Sequence, residues 1–361
     1  MGALKVCKQS TNNLNMVSRE TRKIDIIIPA FNAAGHIEEC LDHIYASDYD
    51  NFQVTVVDDC STDETLNKVK AYPLVRVLKN PVNKGVSAAR NHGINETDGD
   101  IVVFIDSDVL IPKQLLSQML NSFERNPEVS IIQGRYDDTS YYKNTFSQYK
   151  HFIFSFRGLN PMDDGKYANY VHTACVAVLR EVVEEVRFNE DLTRGEDVDF
   201  GQRCAQKGFL IYVDRELTVR HKKKYTFASF TRYQFNSAKE MASQFLAGKS
   251  DRKEQPFYSS KNPLYKKLWI LRPFVSWLFL LSLSWGLFGG GLFPRLLLAS
   301  SVVASFLFEY NFRLYLLRVA PLKVNLAAVM IYFYDGLITS IGIAAAVTTN
   351  MIGNRINTRN H

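Results

Sequence analysis

Residues 101–111 read IVVFIDSDVLI, a run of strand-forming apolar residues that contains two carboxylates, Asp106 and Asp108. A carboxylate at the end of a buried strand is costly unless something offsets its charge. One explanation is a strand that ends in a polar turn, because Asp and Ser commonly begin loops. The other explanation is a divalent cation bound by two oxygen ligands one residue apart. This stretch alone leaves both explanations open.

Apolar runs of strand length alternate with helical patterns from residue 24 to residue 105, and the last of these runs begins the stretch quoted above. The runs are IDIIIPA (24–30), FQVTVVD (52–58), VRVLKN (75–80) and IVVFI (101–105). Such alternation predicts a parallel sheet with helices on both faces, in which ligands bind beyond the carboxyl ends of the strands. The polar residues that follow strand ends are Asn32, Asp58, Asp59, Asn83 and Asp106. We expect these side chains to converge on one crevice, which favours the metal explanation.

Phosphate-binding glycine motifs are missing from the sequence. No GxGxxG follows the first strand and no GxxxxGK[ST] occurs anywhere, so the charge of a bound phosphate has to be met by other means. A metal held by Asp106 and Asp108 would meet it. A second acidic group, Glu196, Asp197 and Asp199, opens a predicted helix. The helix dipole explains one carboxylate at a helix N-terminus, but it does not explain three beside a ligand crevice.

Five segments carry these features in a fixed order. They are IIIPAFNAAGHIEECLDHI (26–44), VVDDCSTDET (56–65), NKGVSAARNHGI (83–94), DGDIVVFIDSDVLI (98–111) and RGEDVDFGQR (194–203). In order and spacing they resemble family 2 glycosyltransferases of GT-A fold, and five segments in register are a specific signal. The resemblance covers about residues 24–240. It implies an α/β fold of the GT-A nucleotide-diphospho-sugar transferase type, with a Rossmann-like, mostly parallel sheet followed by C-terminal transmembrane helices.

The resemblance also implies roles for individual residues. The residues that match nucleotide-sugar-binding positions are Pro29, Ala30, Asn32, Asp58, Asp59, Lys84, Arg90, Asp106 and Ser107. Asp106, Asp108 and His221 match metal ligands for Mg²⁺ or Mn²⁺ bound to the diphosphate. Asp197 matches the base that deprotonates the acceptor hydroxyl, with Glu196 beside it to orient acceptor or backbone. One base and no protein nucleophile imply inversion at the anomeric carbon.

Three points of the sequence qualify these roles. His221 stands next to three lysines, so it is either a metal ligand or an exposed member of a basic surface. The segment HTACVAVLR departs from the Gly-Asn of many relatives, which leaves acceptor contacts at Ala174 and Cys175 open. Gln234 is followed by FNSA, so the QxxRW motif of processive polysaccharide synthases is missing and a polymer synthase is disfavoured.

The C-terminal part of the chain predicts a membrane region. Residues 214–272 carry 14 basic and 5 acidic side chains, and the chain is strongly apolar from about Leu268 onward. A basic stretch that leads into apolar segments is typical of a cytoplasmic membrane surface and argues against a nucleic-acid partner. Candidate spans are Phe274–Phe293, Leu296–Leu317 and Val324–Val347, and the charges within them are Glu309, Arg313 and Asp335. We expect these charges to face a bundle interior, with Glu309 and Arg313 paired four residues apart.

The predicted organisation therefore has five parts. They are a polar N-terminal extension (1–23), a GT-A catalytic domain (24–225), a basic interfacial or amphipathic segment (226–267), a transmembrane region of two or three spans (268–352) and a polar tail (353–361). The helical pattern at 227–247 also fits a core helix of the catalytic domain. No cleaved signal peptide is expected, and five scattered cysteines without CxxC spacing favour a reducing compartment.

These expectations lead to one main functional hypothesis and two alternatives. The main one is a multi-pass membrane glycosyltransferase whose catalytic domain lies on the cytoplasmic face. It would move a sugar from a nucleotide-diphosphate sugar to a lipid-linked or glycan acceptor, with membrane lipids as further partners. The first alternative is transfer to polyprenyl phosphate, as in dolichyl-phosphate mannose synthases, and the second is an inactive sugar-nucleotide-binding scaffold. The donor base, uracil, thymine or guanine, and the donor sugar stay open.

Overall fold

The computed structural model describes residues 22–158, 167–247, 271–288 and 291–357. The chain forms two compact units. In the described residues the first unit comprises 22–137 and 167–222, and the second comprises 138–158 and everything from Lys223 onward. The segment 138–158, which the sequence analysis assigns to the catalytic domain, thus belongs to the second unit. Parts of the predicted organisation lie outside the described residues. Among them are residues 1–21 of the extension, residues 248–267 of the interfacial segment, residues 268–270 at the start of the transmembrane region and residues 358–361 of the tail.

Strands and helices alternate through the first unit as the apolar runs predict. In chain order the elements up to Lys222 are β1 (Ile24–Ala30), α1 (Ile37–Tyr45), β2 (Phe52–Asp58), α2 (Thr65–Lys70), β3 (Arg76–Lys79), α3 (Val86–Asn95), β4 (Ile101–Phe104), β5 (Val109–Leu110), α4 (Leu115–Arg125), β6 (Ile131–Tyr136), α5 (Thr145–Gly158, part of the second unit), β7 (Val176–Leu179), α6 (Arg180–Glu185), α7 (Glu196–Gln206) and β8 (Ile211–His221). The first strand has the bounds that its sequence predicts, since Pro29 and Ala30 end the apolar run.

The sheet of the first unit is mixed. Its strand order is β3-β2-β1-β4-β7-β6-β8-β5. The four strands predicted from the sequence, β1 to β4, are parallel to one another, which confirms that part of the prediction. Strand β7 runs antiparallel to β4 and to β6, and β5 runs antiparallel to β8. The carboxyl ends of β1, β2 and β4 therefore share one edge, as a GT-A crevice requires.

Close packing on β1 fixes the position of α3. Gly93 faces Ile27, and a Cβ added to Gly93 would lie 2.5 Å from the Ile27 side chain. The helix backbone can therefore sit directly on the strand only because position 93 has no side chain. The core strands are apolar on both faces, with Asp25 as a buried exception that pairs with Arg180 at 2.9 Å. This packing holds the helix that carries Arg90 against the centre of the sheet.

The second unit is helical. Its remaining elements are α8 (Phe227–Leu246), α9 (Arg272–Phe288), α10 (Leu292–Phe308), α11 (Tyr310–Val319) and α12 (Leu322–Asn357). Helix α8 packs along α12, and Gly342 permits the close approach, because a Cβ there would lie 2.7 Å from the Phe235 carbonyl oxygen. The helix at 227–246 belongs to the second unit. Its interfacial placement and the alternative of a core helix of the catalytic domain both stay predictions.

A buried ionic cluster lies among these helices. Arg272 pairs with Asp335 at 2.8 Å, and Arg313 pairs with Glu309 at 3.2 Å, four residues before it. Gln234 donates from its side-chain amide to Asp335. All four charged residues are nearly inaccessible to solvent. The predicted Glu309–Arg313 pair and the predicted inward orientation of the charges are therefore confirmed.

The apolar helices differ from the three predicted spans in their lengths and bends. In the part of the chain that the structure describes, one stretch, Leu322–Ile352, is by itself long and apolar enough to cross a membrane, with 31 residues and a mean hydropathy of 1.6. Helices α10 and α11 would make a second span only together, and they are bent by 76° at Glu309. Helix α9 has 17 residues, about 25 Å, which falls short of a bilayer core of about 30 Å. The multi-pass arrangement stays a prediction.

Candidate active site at the carboxyl edge of the sheet

The loops after β1 and β2 are bound to each other. Asn32 adopts a left-handed conformation (φ 51°), and its side-chain oxygen accepts the Thr62 N–H at 2.9 Å. The Ala30 carbonyl accepts the Asp59 N–H at 2.8 Å. The buried Asp58 carboxylate accepts the Ser61 N–H at 3.3 Å. Pro29 directly precedes this junction, so the residues predicted to line the nucleotide pocket do lie at one edge of the sheet.

Asp59 holds the start of α3. One of its carboxylate oxygens accepts the Lys84 N–H at 3.0 Å and the Asn80 side-chain amide at 2.7 Å, and the other accepts the Gly85 N–H at 2.7 Å. Gly85 has a φ of 89°, a left-handed conformation that favours glycine. Asp59 therefore has a structural task at the N-terminus of the helix that bears Arg90. The predicted contacts of Asp58, Asp59 and Lys84 with a nucleotide remain predictions.

Each residue of the DSD segment has a defined neighbour. Arg90 Nη2 donates to Asp106 Oδ1 at 2.9 Å. The Ser107 hydroxyl lies 3.4 Å from His36 Nε2. Asp108 Oδ2 lies 3.4 Å from His221 Nε2, because β5 and β8 pair with Val109 opposite His221. The two carboxylates that follow β4 therefore have different neighbours: Asp106 contacts α3, and Asp108 lies beside the end of β8.

His221 is not part of an exposed basic surface. It is only 8 % exposed, and its ring stacks on Tyr136 with 4.7 Å between the ring centroids. The stacking fixes the imidazole plane beside Asp108, which excludes the exposed-residue explanation. The structure thereby brings together two of the three residues predicted to bind metal.

The donor set fits a divalent cation that shares its coordination sphere with phosphate. Across the described residues, no three His, Cys, Asp or Glu side chains form a ready-made metal cluster. Mg²⁺ in phosphate-binding enzymes commonly takes only one or two carboxylates and completes its shell with phosphate oxygens and water. Asp108 and His221 are oxygen and nitrogen donors of suitable chemistry, and Asp106 has one carboxylate oxygen bound to Arg90. These residues fit such an ion.

Glu196 is the member of the acidic pair at the start of α7 that binds arginine. Gly195 precedes it in a left-handed conformation (φ 71°) and turns the chain into the helix. The Glu196 carboxylate accepts a hydrogen bond from Arg90 Nη1 at 3.0 Å. Burial, followed by the neighbouring charge of Asp197, raises the pKa of Glu196 despite the opposing effect of Arg90. Both predicted catalytic residues thus lie in the first turn of a helix, as the sequence indicates.

Asp197 has a different environment from its neighbour. Its carboxylate accepts the Val198 N–H at 2.8 Å and lies 3.6 Å from His172 Nδ1. Burial alone would raise the pKa of Asp197, but His172, the Val198 N–H and the charge of Arg90 together outweigh it and hold the pKa below its usual value. A carboxylate with a depressed pKa is ionised at neutral pH and can accept a proton. The geometry therefore leaves Asp197 available as a base while Glu196 is bound to arginine.

His172 is the site residue that the sequence analysis did not single out. Gly201 brings it close to Asp197, since a Cβ at position 201 would lie 2.5 Å from the Val171 backbone nitrogen. The Gln133 side chain accepts the His172 N–H at 2.7 Å. The residue stands at the start of the segment HTACVAVLR, which the sequence analysis interprets only in terms of acceptor contacts. Ala174 and Cys175 in that segment are buried core residues.

Residues 25–187 match the family described as "Glycosyl transferase family 2". The chain carries a family 2 glycosyltransferase domain. The match ends before α7, so Asp197 and His221 lie beyond the matched range. The glycosyltransferase domain nevertheless forms a single sheet with β8, because β6 pairs with β8 inside the first unit.

Two curated relatives and one solved structure illustrate the similarity. "Glycosyltransferase AglE" of Haloferax volcanii is 28 % identical over 193 residues, 52 % of this chain and 62 % of the relative. "Dolichol-phosphate mannosyltransferase" of Pyrococcus furiosus is 28 % identical over 136 residues, 35 % of this chain and 38 % of the relative. The chain thus spans less than two thirds of the length of these relatives. A mannosyltransferase of Pyrobaculum calidifontis, PcManGT, solved with GDP-Man and Mn²⁺, is 19 % identical with a TM-score of 0.54, over 97 % of this chain and 95 % of that one. It supports the GT-A fold.

Proposed function

We propose that this protein is a membrane-bound, metal-dependent, inverting glycosyltransferase. It takes a sugar from a nucleotide-diphosphate donor and passes it to a lipid-linked or membrane-proximal acceptor. The observation that carries this proposal is the presence of two separate sets of carboxylates, one after β4 and one at the start of α7. The DSD segment with His221 forms a donor-side group, and Asp197 with His172 forms an ionised carboxylate on α7.

The residues of this chain suit a single displacement. Asp197 would take the proton of the acceptor hydroxyl while that oxygen bonds to the anomeric carbon and the bond from this carbon to the donor phosphate breaks. The nucleoside diphosphate leaves with the bonding electron pair. A Mg²⁺ or Mn²⁺ ion held by Asp106, Asp108 and His221 would neutralise charge on the departing diphosphate. With one base and no nucleophile on the protein, the anomeric configuration inverts.

Membrane association is supported by the surface of the second unit. Large apolar side chains are exposed on helices α9 to α12, among them Trp277, Leu281, Trp285, Leu296, Val303, Leu317, Leu326, Met330 and Ile341. Exposed apolar area on this scale marks an interaction surface. Acyl chains are the partner that fits, because four charged side chains of these helices, Arg272, Glu309, Arg313 and Asp335, pair with one another inside the unit. The basic stretch 214–272 supports a location on the cytoplasmic face.

The acceptor is the main open feature of the reaction. The dolichol-phosphate mannosyltransferase relative favours polyprenyl phosphate as one candidate. The linkage of the product separates the two acceptor classes, since a sugar phosphodiester on a lipid is labile to mild acid and an extended glycan is not. The donor can be found with a thermal-shift panel of UDP-, GDP- and dTDP-sugars with Mn²⁺, because a ligand that binds only the native state stabilises it.

The metal part of the proposal has a direct experiment. Asp106→Ala and Asp108→Ala are expected to abolish turnover, because each removes a ligand oxygen. EDTA is expected to abolish turnover of the wild type, and added Mn²⁺ or Mg²⁺ is expected to restore it. Full activity in EDTA would exclude the metal. A protein that binds nucleotide but transfers none of the donors in the panel would instead support the inactive scaffold.

A further inference from the structure

Arg90 connects the two halves of the candidate site. Its side chain is 2 % exposed, and its two terminal nitrogens point to different elements. Nη2 donates to Asp106 after β4 at 2.9 Å, and Nη1 donates to Glu196 on α7 at 3.0 Å. Guanidinium presents these donors in a rigid planar fork, so the two carboxylates are held at a fixed separation.

A second connection made of aromatic rings runs beside the ionic one. Phe188 packs edge-on against Phe104 of β4, with 5.2 Å between centroids, and stacks on Phe200 of α7 at 4.4 Å. The Arg90 guanidinium lies over the Phe188 ring, 5.3 Å from its centroid. The ring that supports the arginine is therefore the same ring that joins β4 to α7.

The residue after Arg90 fixes that ring in turn. The buried Asn91 side chain donates to the Phe188 carbonyl at 2.9 Å and accepts the Phe188 N–H at 2.9 Å. This reciprocal pair leaves the backbone at Phe188 little freedom relative to α3. Two consecutive residues of α3 thus set the position of β4, of Phe188 and of the first turn of α7.

We infer that Arg90 is a positioning residue that holds the acceptor-side base in register with the donor-side carboxylates. This inference rests on the proposed function and revises the nucleotide-binding role that resemblance gives to Arg90. Both terminal nitrogens of Arg90 are bound to carboxylates of the protein, and the side chain is buried. Its effect on the reaction therefore passes through Asp106 and Glu196. Asp197 adjoins Glu196, so a shift of that helical turn moves the base.

The first experiment separates positioning from donor binding. The full chain in detergent is compared as wild type, Arg90→Lys, Arg90→Gln and the control Arg203→Gln. Arg203 pairs with Asp199 of the same helix at 2.7 Å and donates to the Arg187 carbonyl at 2.7 Å, and neither of these residues lies on β4. The probe is whichever of UDP, GDP or dTDP raises the wild-type melting temperature most in Mn²⁺. For both Arg90 variants we expect kcat to fall by about 100-fold or more, with the nucleotide Kd changed by less than about threefold. The control is expected to keep kcat within about threefold.

The second experiment tests whether Arg90 acts through Glu196. Glu196→Ala and Arg90→Lys are combined in a double-mutant cycle on kcat. We expect the double variant to be no slower than the slower single variant, since both substitutions break the same connection between Arg90 and Glu196. Glu196→Gln keeps an oxygen that accepts from Arg90 and is expected to retain more activity than Glu196→Ala. Losses that multiply in the double variant, or a nucleotide Kd that weakens in parallel with kcat, would overturn the inference. A wild type that transfers no sugar would refute the proposed function instead. If Arg90→Gln does not fold, Arg90→Lys and the cycle decide.

Discussion

Replacement of Asp197 by Asn is the sharpest perturbation of the proposed reaction. The amide has the shape of the carboxylate, and its oxygen can still accept the Val198 N–H that Asp197 accepts at 2.8 Å. What it loses is the ability to take a proton. General-base assistance is worth roughly 10²- to 10⁴-fold, which is about 2.7–5.4 kcal/mol of activation free energy at about 1.36 kcal/mol per tenfold.

Donor binding is expected to survive this change. Neither the Val198 N–H nor His172 belongs to the donor-side residues, and Asp108 with His221 is unaltered. The assay is single-turnover transfer from a saturating donor, together with nucleotide affinity measured by calorimetry. We expect kcat to fall by roughly 10²–10⁴-fold while affinity stays within about threefold.

Glu196→Gln is the matched comparison for this experiment. It removes the adjacent carboxylate and keeps a hydrogen-bond acceptor for Arg90, so its effect on kcat is expected to be much smaller than that of Asp197→Asn. Loss of transfer in Glu196→Gln with near wild-type transfer in Asp197→Asn would move the base by one residue. Near wild-type rates in both variants would place the base elsewhere.

Three further predictions follow from the same geometry. His172→Gln is expected to raise the pKa of Asp197, because the largest influence that opposes burial is then lost, so the acidic limb of a kcat/KM–pH profile should move to higher pH; an unchanged limb would contradict the assigned role of His172. Gly201→Ala is expected to lower both the melting temperature and kcat, because its Cβ would collide with the backbone just before His172; wild-type values for both would argue against that close approach. Asp335→Asn removes the charge that pairs with Arg272 at 2.8 Å, and loss of one charge of a buried pair costs up to about 3–5 kcal/mol, seen as a lower melting temperature in detergent; an unchanged melting temperature would refute the importance of the pair.

Local sequence patterns were sufficient to predict the strands of the parallel half of the sheet. The run at 24–30 is apolar and ends in proline, and the structure has a strand with the same bounds. Glu196 and Asp197 follow a glycine and precede a helical spacing, and they do occupy the first turn of α7. Such features depend on neighbours in the chain, so they can be read from a single sequence.

The features that the sequence did not reveal depend on contacts between distant residues. Strand β7 runs antiparallel between β4 and β6, and no local pattern distinguishes its direction. His172 reaches Asp197 only because Gly201 lets α7 approach the chain at Val171. Arg90 contacts Asp106, which lies 16 positions further along the chain, and Glu196, which lies 106 positions further. Spacing along the chain carries no information on such encounters.

The ionic cluster of the second unit has a consequence for how the protein is made. In the membrane arrangement proposed above, Asp335 lies well inside helix α12, and its partner Arg272 stands at the start of α9. A lone Asp at the centre of a spanning helix costs about 2.5–3.5 kcal/mol on insertion scales, so α12 is better accommodated in lipid once Arg272 lies beside it. The ion pair can form only after α12, which follows α9 in the chain, has been synthesised. If the proposed membrane placement holds, we therefore expect α9 to stay beside the insertion machinery until α12 arrives, and a chain truncated before α12 to lack the carboxylate that pairs with Arg272.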